Sequence, residues 1–361
     1  MLIAIDGRPF QGTITGIGRY VYEICNVFDN AFTDVTFHIY SNRPMSISPL
    51  SSRWHFRYET NAVLSKLPPP LWLKLFSARM INRDQASCFW GPAFFLPYGL
   101  DHNIKSLLTV HDLNFLIAPE TMTVMYRLFF RLFFPSELRS ADLISTNSHG
   151  TSNRLNEFFY RKADIVAPPS VNPKKFYRPN DNIIESVTKK YDLKTPYFLS
   201  VSTLEPRKNL NVLIDAFELF TKNNPEKNCK LVLIGASGWK NNDVLTRISN
   251  HPDIEKLGFV PDADLPALYA NAVSLIFPSK YEGFGMPVLE AHLCGSPTIA
   301  SDIDEIREAG GENTIYVKPN ASNIAREMKK VWEQRPEITL PNYLTWEESA
   351  KKIAIGLSNL I

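Results

Sequence analysis

The chain has 361 residues, enough for about two domains at roughly 100–200 residues each. Its 44% hydrophobic and 21% charged residues exclude a disordered chain, and its four cysteines (Cys25, Cys88, Cys229, Cys294), with no CxxC pair among them, exclude a zinc ribbon, a redox pair and a disulfide framework. The net charge of +2 hides an asymmetry: residues 1–180 hold 19 Lys and Arg against 13 Asp and Glu, a balance of +6, and residues 181–361 hold 20 against 24, a balance of −4. The basic first half is expected to face phosphates, acidic sugars or anionic lipid.

In chain order, Leu2–Ile5 reads as a buried strand ended by Asp6-Gly7. Residues 17–28 carry Ile17, Val21, Ile24 and Val27 on one helical face. Val35–Tyr40, Ser106–Val110 and Asp142–Thr146 read as further strands, an alternation that predicts a layered α/β domain with a parallel sheet. Pro168, Pro169, Pro173 and Pro179 mark a boundary, because proline continues neither a helix nor a central strand. After a helix over residues 181–192 a second α/β series follows: strand Tyr197–Val201, helix Val212–Asn223, and strands Lys230–Ile234, Ser274–Phe277 and Pro297–Ala300. The closing stretch Trp346–Leu360 has the phase of an amphipathic helix, with Trp346, Ala350, Ile353 and Leu357 on one face. The expected domains are 1–178, joined by the terminal helix 346–361, and 179–345. The amino terminus meets Asp6 and Arg8 too early for a signal peptide, and no apolar run reaches the ~18 residues of a membrane span, so a cytoplasmic protein is expected.

Four segments fall where open α/β sheets bind ligands, at the carboxyl ends of strands. The most specific is Tyr281-Glu282-Gly283-Phe284-Gly285-Met286-Pro287-Val288-Leu289-Glu290. Gly283 and Gly285 let backbone N–H groups approach an anion, and Pro287 opens a helix whose amino terminus adds positive potential. This makes a diphosphate cradle without a Walker lysine, flanked by Glu282 and Glu290 for sugar and ribose hydroxyls. The second, Ser202-Thr203-Leu204-Glu205-Pro206-Arg207-Lys208-Asn209, places two cations where charge grows on a departing diphosphate. The third, Gly12-Thr13-Ile14-Thr15-Gly16-Ile17-Gly18-Arg19-Tyr20, lacks the dinucleotide spacing and so argues against NAD, but offers N–H groups before a helix. The fourth is His111-Asp112, whose imidazole can hydrogen-bond a sugar.

Together these residues resemble glycosyltransferase family 4, the retaining family with the GT-B fold, over nearly the whole chain. Glu282 and Glu290 match that family's pair of glutamates with seven residues between them, and the TLEPRKN stretch resembles bacterial O-antigen and capsule mannosyl- and rhamnosyltransferases. The resemblance implies two Rossmann-like domains facing a central cleft, with the terminal helix crossing back to the first. It implies that Lys208 and Arg207 hold the diphosphate, Glu282 the donor sugar and Glu290 the ribose. Gly16 and Gly18 then approach the phosphates and His111 the sugar. Gly235 and Val260 border the base, with Gly283, Phe284, Gly285 and Met286 completing the donor site. Many members carry an arginine five residues before the lysine; Thr203 stands there, and Arg207 is expected to supply that cation.

The expected reaction is retaining transfer of a hexose from a nucleotide diphosphate-sugar, GDP-mannose first, to a lipid-linked or oligosaccharide acceptor in surface-polysaccharide synthesis. No metal or other cofactor and no nucleic acid is expected. Asp302-Ile303-Asp304 has DxD spacing but reads as a helix start with Asp302 as its N-cap. The alternatives are a nucleotide-sugar epimerase on the same scaffold and a non-catalytic sugar-binding subunit. Basic residues among aromatics in Met125–Pro135 (MYRLFFRLFFP) and Leu71–Arg83 (LWLKLFSARMINR) suit peripheral contact with the inner membrane.

Overall fold

The structure is a computed structural model that describes residues 1–14, 16–339 and 343–361. It resolves into two compact units, one of Met1–Phe115, Thr123–Pro169 and Leu344–Ile361, the other of Leu116–Met122 and Ser170–Tyr343.

The first unit is built on seven strands: β1 (Leu2–Asp6), β2 (Thr36–Ser41), β3 (Trp54–Tyr58), β4 (Cys88–Gly91), β5 (Lys105–Val110), β6 (Leu143–Thr146) and β7 (Ile165–Val166). They lie in the order β3-β2-β1-β4-β5-β6-β7, every pair parallel. Parallel strands need crossover connections, and right-handed crossovers place helices on both faces, so central strands such as β4 (CFWG) are buried throughout. The terminal helix Trp346–Asn359 begins with a capping box, in which Thr345 and Glu348 satisfy each other's backbone N–H groups. Its Ala350, Ile353 and Leu357 join Ile3, Val21 and Ile24 in one core, in the predicted phase. Each fully buried Ile or Leu there is worth about 1.5–3 kcal/mol.

The second unit repeats the plan with β8 (Tyr197–Val201), β9 (Lys230–Ile234), β10 (Ile254–Gly258), β11 (Ser274–Phe277), β12 (Thr298–Ser301) and β13 (Thr314–Val317), in the order β10-β9-β8-β11-β12-β13. In both sheets the direction of winding reverses beside the first strand, between β1 and β4 and between β8 and β11, and ligands of such folds bind at that reversal. The proline-rich stretch from Ser170 onward packs with the second unit rather than the first, because Val171 and Phe176 sit in its core.

Strands β3, β4, β7, β10 and β13 were not anticipated. β7 has two residues, and β10 (IEKLG) carries two charges on a sheet edge, so neither offers an apolar run to read. Asp302 is not an N-cap: the helix Asp304–Gly310 starts at Ile303, and Asp302 instead pairs with Arg307 at 2.6 Å. Most rings of the two aromatic segments pack inward. Trp72 is fully buried, its indole N–H donating to Glu59, and in the helix Val124–Ser140 Phe134 is fully buried while Phe129 and Phe130 pack on Phe95. These rings face the core, and Tyr126 at 54% exposed does not. No helix among the described residues is long and apolar enough to cross a membrane.

Candidate functional site

The reversal between β8 and β11 brings two loops together. After β8 the chain makes a 3-10 turn, Pro206–Lys208, and leaves it through Asn209, a left-handed residue at φ 58°. Backbone bonds stitch this turn to the loop after β11: the Lys280 N–H donates to the Arg207 carbonyl at 2.8 Å, and the Asn209 side chain donates to the Pro278 carbonyl at 3.2 Å. Arg207 and Lys208 are thereby set against Glu282. Arg207 Nη1 donates to Glu282 Oε2 at 2.5 Å and to the Tyr281 carbonyl at 3.0 Å, while Lys208 Nζ reaches Glu282 Oε1 at 2.5 Å. Glu205 holds the other edge of Arg207, accepting from Nη2 at 2.8 Å and from Nε at 3.1 Å. Two cations and two carboxylates thus form one largely buried cluster.

Its electrostatics follow from burial and proximity. Burial alone pushes the Glu282 carboxyl up, but the charges of Arg207 and Lys208 overcome it and hold the group down at about 2. Lys208 lies below the ordinary lysine value through burial and the neighbouring Arg207, with Glu282 pulling the other way. The cluster is therefore an ionised set in which one carboxylate is shared by both cations.

Beside it, Gly285 at φ +107° ends the glycine turn and caps the helix Met286–Leu293, with Pro287 in its first turn. Glu290, one turn in, is buried and accepts a 2.8 Å hydrogen bond from the Tyr269 hydroxyl. Of the two glutamates, Glu282 is the one in contact with the cation pair, while Glu290 is bonded to Tyr269. Neither Glu205 nor Tyr269 was singled out from the sequence. Glu205 stands two residues before Arg207 and was open to notice; Tyr269 arrives from the helix Leu265–Asn271, and no spacing rule connects it to Glu290.

The remaining candidates divide. Phe284 is buried in the core and Met286 packs against it. Val260 is buried too, whereas its neighbours Phe259, at 81% exposed, and Pro261 reach solvent. Gly235, at φ +141°, is dictated by packing: a β carbon there would lie 2.0 Å from the Ser202 carbonyl oxygen. Gly16, Gly18 and His111 belong to the first unit. Gly16 opens the helix Gly16–Ala31 with free space around its α carbon, whereas a β carbon on Gly18 would sit 2.5 Å from the Pro9 carbonyl oxygen. Thr15 of that loop lies outside the described residues. His111 is buried, donates from Nε2 to the Pro92 carbonyl at 2.7 Å, and is shifted below its ordinary value by that burial. A cavity of about 560 Å³ opens beyond β1 and β2 of the same unit, lined by Arg8, Gln11, Arg43 and Tyr126 among others. Among the described residues no group of three His, Cys, Asp or Glu is placed to hold a metal ion.

Residues 183–352 match the family described as glycosyl transferases group 1. O-antigen chain mannosyltransferase B of Escherichia coli is 33% identical over 238 residues, 64% of this chain and 61% of that protein, so the chain spans about three fifths of this relative's length. Among solved structures, Anabaena HepE in complex with UDP-glucose superposes with a TM-score of 0.72 at 16% identity, covering 99% of this chain and 100% of that one. WaaG, a glycosyltransferase involved in lipopolysaccharide biosynthesis, gives 0.68 at 16% identity, covering 98% and 95%. These likenesses show the GT-B fold.

Proposed function

We propose, from the match of residues 183–352 to the glycosyl transferases group 1 family, that the chain is a retaining, metal-independent hexosyltransferase of surface-polysaccharide synthesis. The observation that carries the reading is the Arg207–Lys208 pair clamped on Glu282 beside the glycine turn. The diphosphate of the donor takes the cations from Glu282. The freed carboxylate then accepts from hydroxyls of the sugar, and Glu290 accepts from the ribose. Charge developing on the leaving diphosphate is met by two fixed cations in a largely buried site, where such interactions are strongest. Attack comes from the face the diphosphate leaves, and a departing phosphate oxygen takes the acceptor's proton, so configuration is retained and no protein nucleophile is needed. The acceptor, a lipid-linked or free saccharide, is taken by the first unit, whose Arg8 and Arg43 line an open cavity.

Mannose is the favoured sugar and GDP-mannose the favoured donor, on the strength of the mannosyltransferase relative. A thermal-shift comparison of GDP-mannose, UDP-glucose and dTDP-rhamnose tests this. The true donor is expected to stabilise the protein by about 2.7 kcal/mol at a hundredfold excess over its Kd. A larger shift with UDP-glucose would reassign the donor, and no shift with any of them would remove the reading. Because Arg207 and Lys208 carry the charge, EDTA is expected to leave transfer unchanged. Activity that depends on added Mg²⁺ or Mn²⁺ would refute metal independence.

A further inference from the structure

Glu290 stands in the second turn of the helix Met286–Leu293 and is buried. Helix packing fixes the first torsions of a glutamate, but the last one, which sets the plane of the carboxylate, is broad and roughly two-fold. A carboxylate that takes two neighbouring hydroxyls side by side must hold that plane, because each oxygen has to face its own donor. The constraint has to come from outside the helix.

Tyr269 supplies it. The helix Leu265–Asn271 buries Leu265, Pro266, Ala267, Leu268, Tyr269 and Ala270, and of these Tyr269 alone carries a polar side chain. A phenol among such neighbours is costly unless its hydroxyl is bonded, and this one donates to Glu290 Oε2 at 2.8 Å. The ring is itself fixed: it is fully buried in the core of the second unit, with its centroid 6.4 Å from that of Phe176. Tyrosine has few torsions to lose, so it makes a stiff prop. A carboxylate oxygen accepts more than one hydrogen bond, so the phenol on Oε2 orients the group without filling it.

We propose that Tyr269 is a positioning residue for the donor's ribose, an inference that rests on the reading of Glu290 as the acceptor of ribose hydroxyls. By fixing the carboxylate plane, Tyr269 lets Glu290 take the 2′- and 3′-hydroxyls together. The pair thereby sets a preference for ribonucleotide donors over those lacking a hydroxyl on that edge of the sugar.

Calorimetric binding of GDP and UDP, each beside its 2′,3′-dideoxy form, tests this in the parent, Tyr269→Phe and Glu290→Gln. The parent is expected to bind the ribonucleotide of its own base at least about tenfold tighter than the dideoxy form. Tyr269→Phe keeps the ring and removes one oxygen. It is expected to lose about tenfold on the ribonucleotide and nothing on the dideoxy form. In steady-state transfer its donor KM should rise by a similar factor with kcat little changed, because the ribose lies away from the reacting carbon and is bound alike in ground and transition states. A tyrosine that only fills the core would lower Tm and leave the ratio of the two affinities as it was. An unchanged ratio in Tyr269→Phe, with the preference lost in Glu290→Gln, overturns the proposal and leaves the role of Glu290 standing. A preference that survives Glu290→Gln, or is missing from the parent, removes that role and the proposal with it.

Discussion

Lys208→Ala is expected to lower sugar transfer by about 10²–10³-fold, chiefly in kcat, because a fixed donor aimed at developing charge is removed. Lys208 sits at the reversal of the sheet, its side chain 12% exposed and its ammonium 5.1 Å from the Phe277 ring, in surroundings that little water screens. The fold should survive, since Glu282 keeps its 2.5 Å contact with Arg207 after the lysine is gone. Steady-state kinetics beside a thermal melt separate the two effects. Unchanged kcat would move the reactive centre elsewhere in the chain.

The second large effect is on stability. Glu282→Gln leaves Arg207 and Lys208 facing Glu205 alone, and breaking a buried pair by removing one partner costs about 3–5 kcal/mol. The pH dependence follows from the depressed carboxyl. Glu282 titrates at about 2 in the folded chain against an ordinary 4.5, so its contribution is complete above pH 4.5 and is lost as pH falls toward 2. The gap in Tm between parent and variant should therefore be widest near neutrality and close in that acid window. In the same variant the carboxylate shared by both cations no longer competes with phosphate for them, and Glu205 holds only the other edge of Arg207. A nucleoside diphosphate should then bind at least as tightly as to the parent while transfer falls. Weaker diphosphate binding would show that Glu282 does not occupy the phosphate position.

Much of the cluster of Arg207, Lys208 and Glu282 was legible because its parts are local. Glu282 and Glu290 share one helix start, Arg207 and Lys208 share one turn, and each segment follows an apolar run ending in a polar residue. Tyr269 was hidden because its bond to Glu290 spans 21 residues and two elements. Composition does not tell which of the adjacent Phe259 and Val260 turns inward; the structure buries Val260 and leaves Phe259 exposed.

The amino-acid sequence alone determined the alternation of strands and helices, the second repeat of the plan, and the phase of the last helix, because hydrophobic period and proline are properties of short stretches. Only the tertiary structure decided strand order, and with it the meeting of Arg207 and Glu282 across 75 residues of chain. It also decided which face of the helix Val124–Ser140 is covered. A period shows where apolar side chains lie around a helix, but when they lie nearly all the way round, only the packing of neighbouring elements selects the face that leaves water.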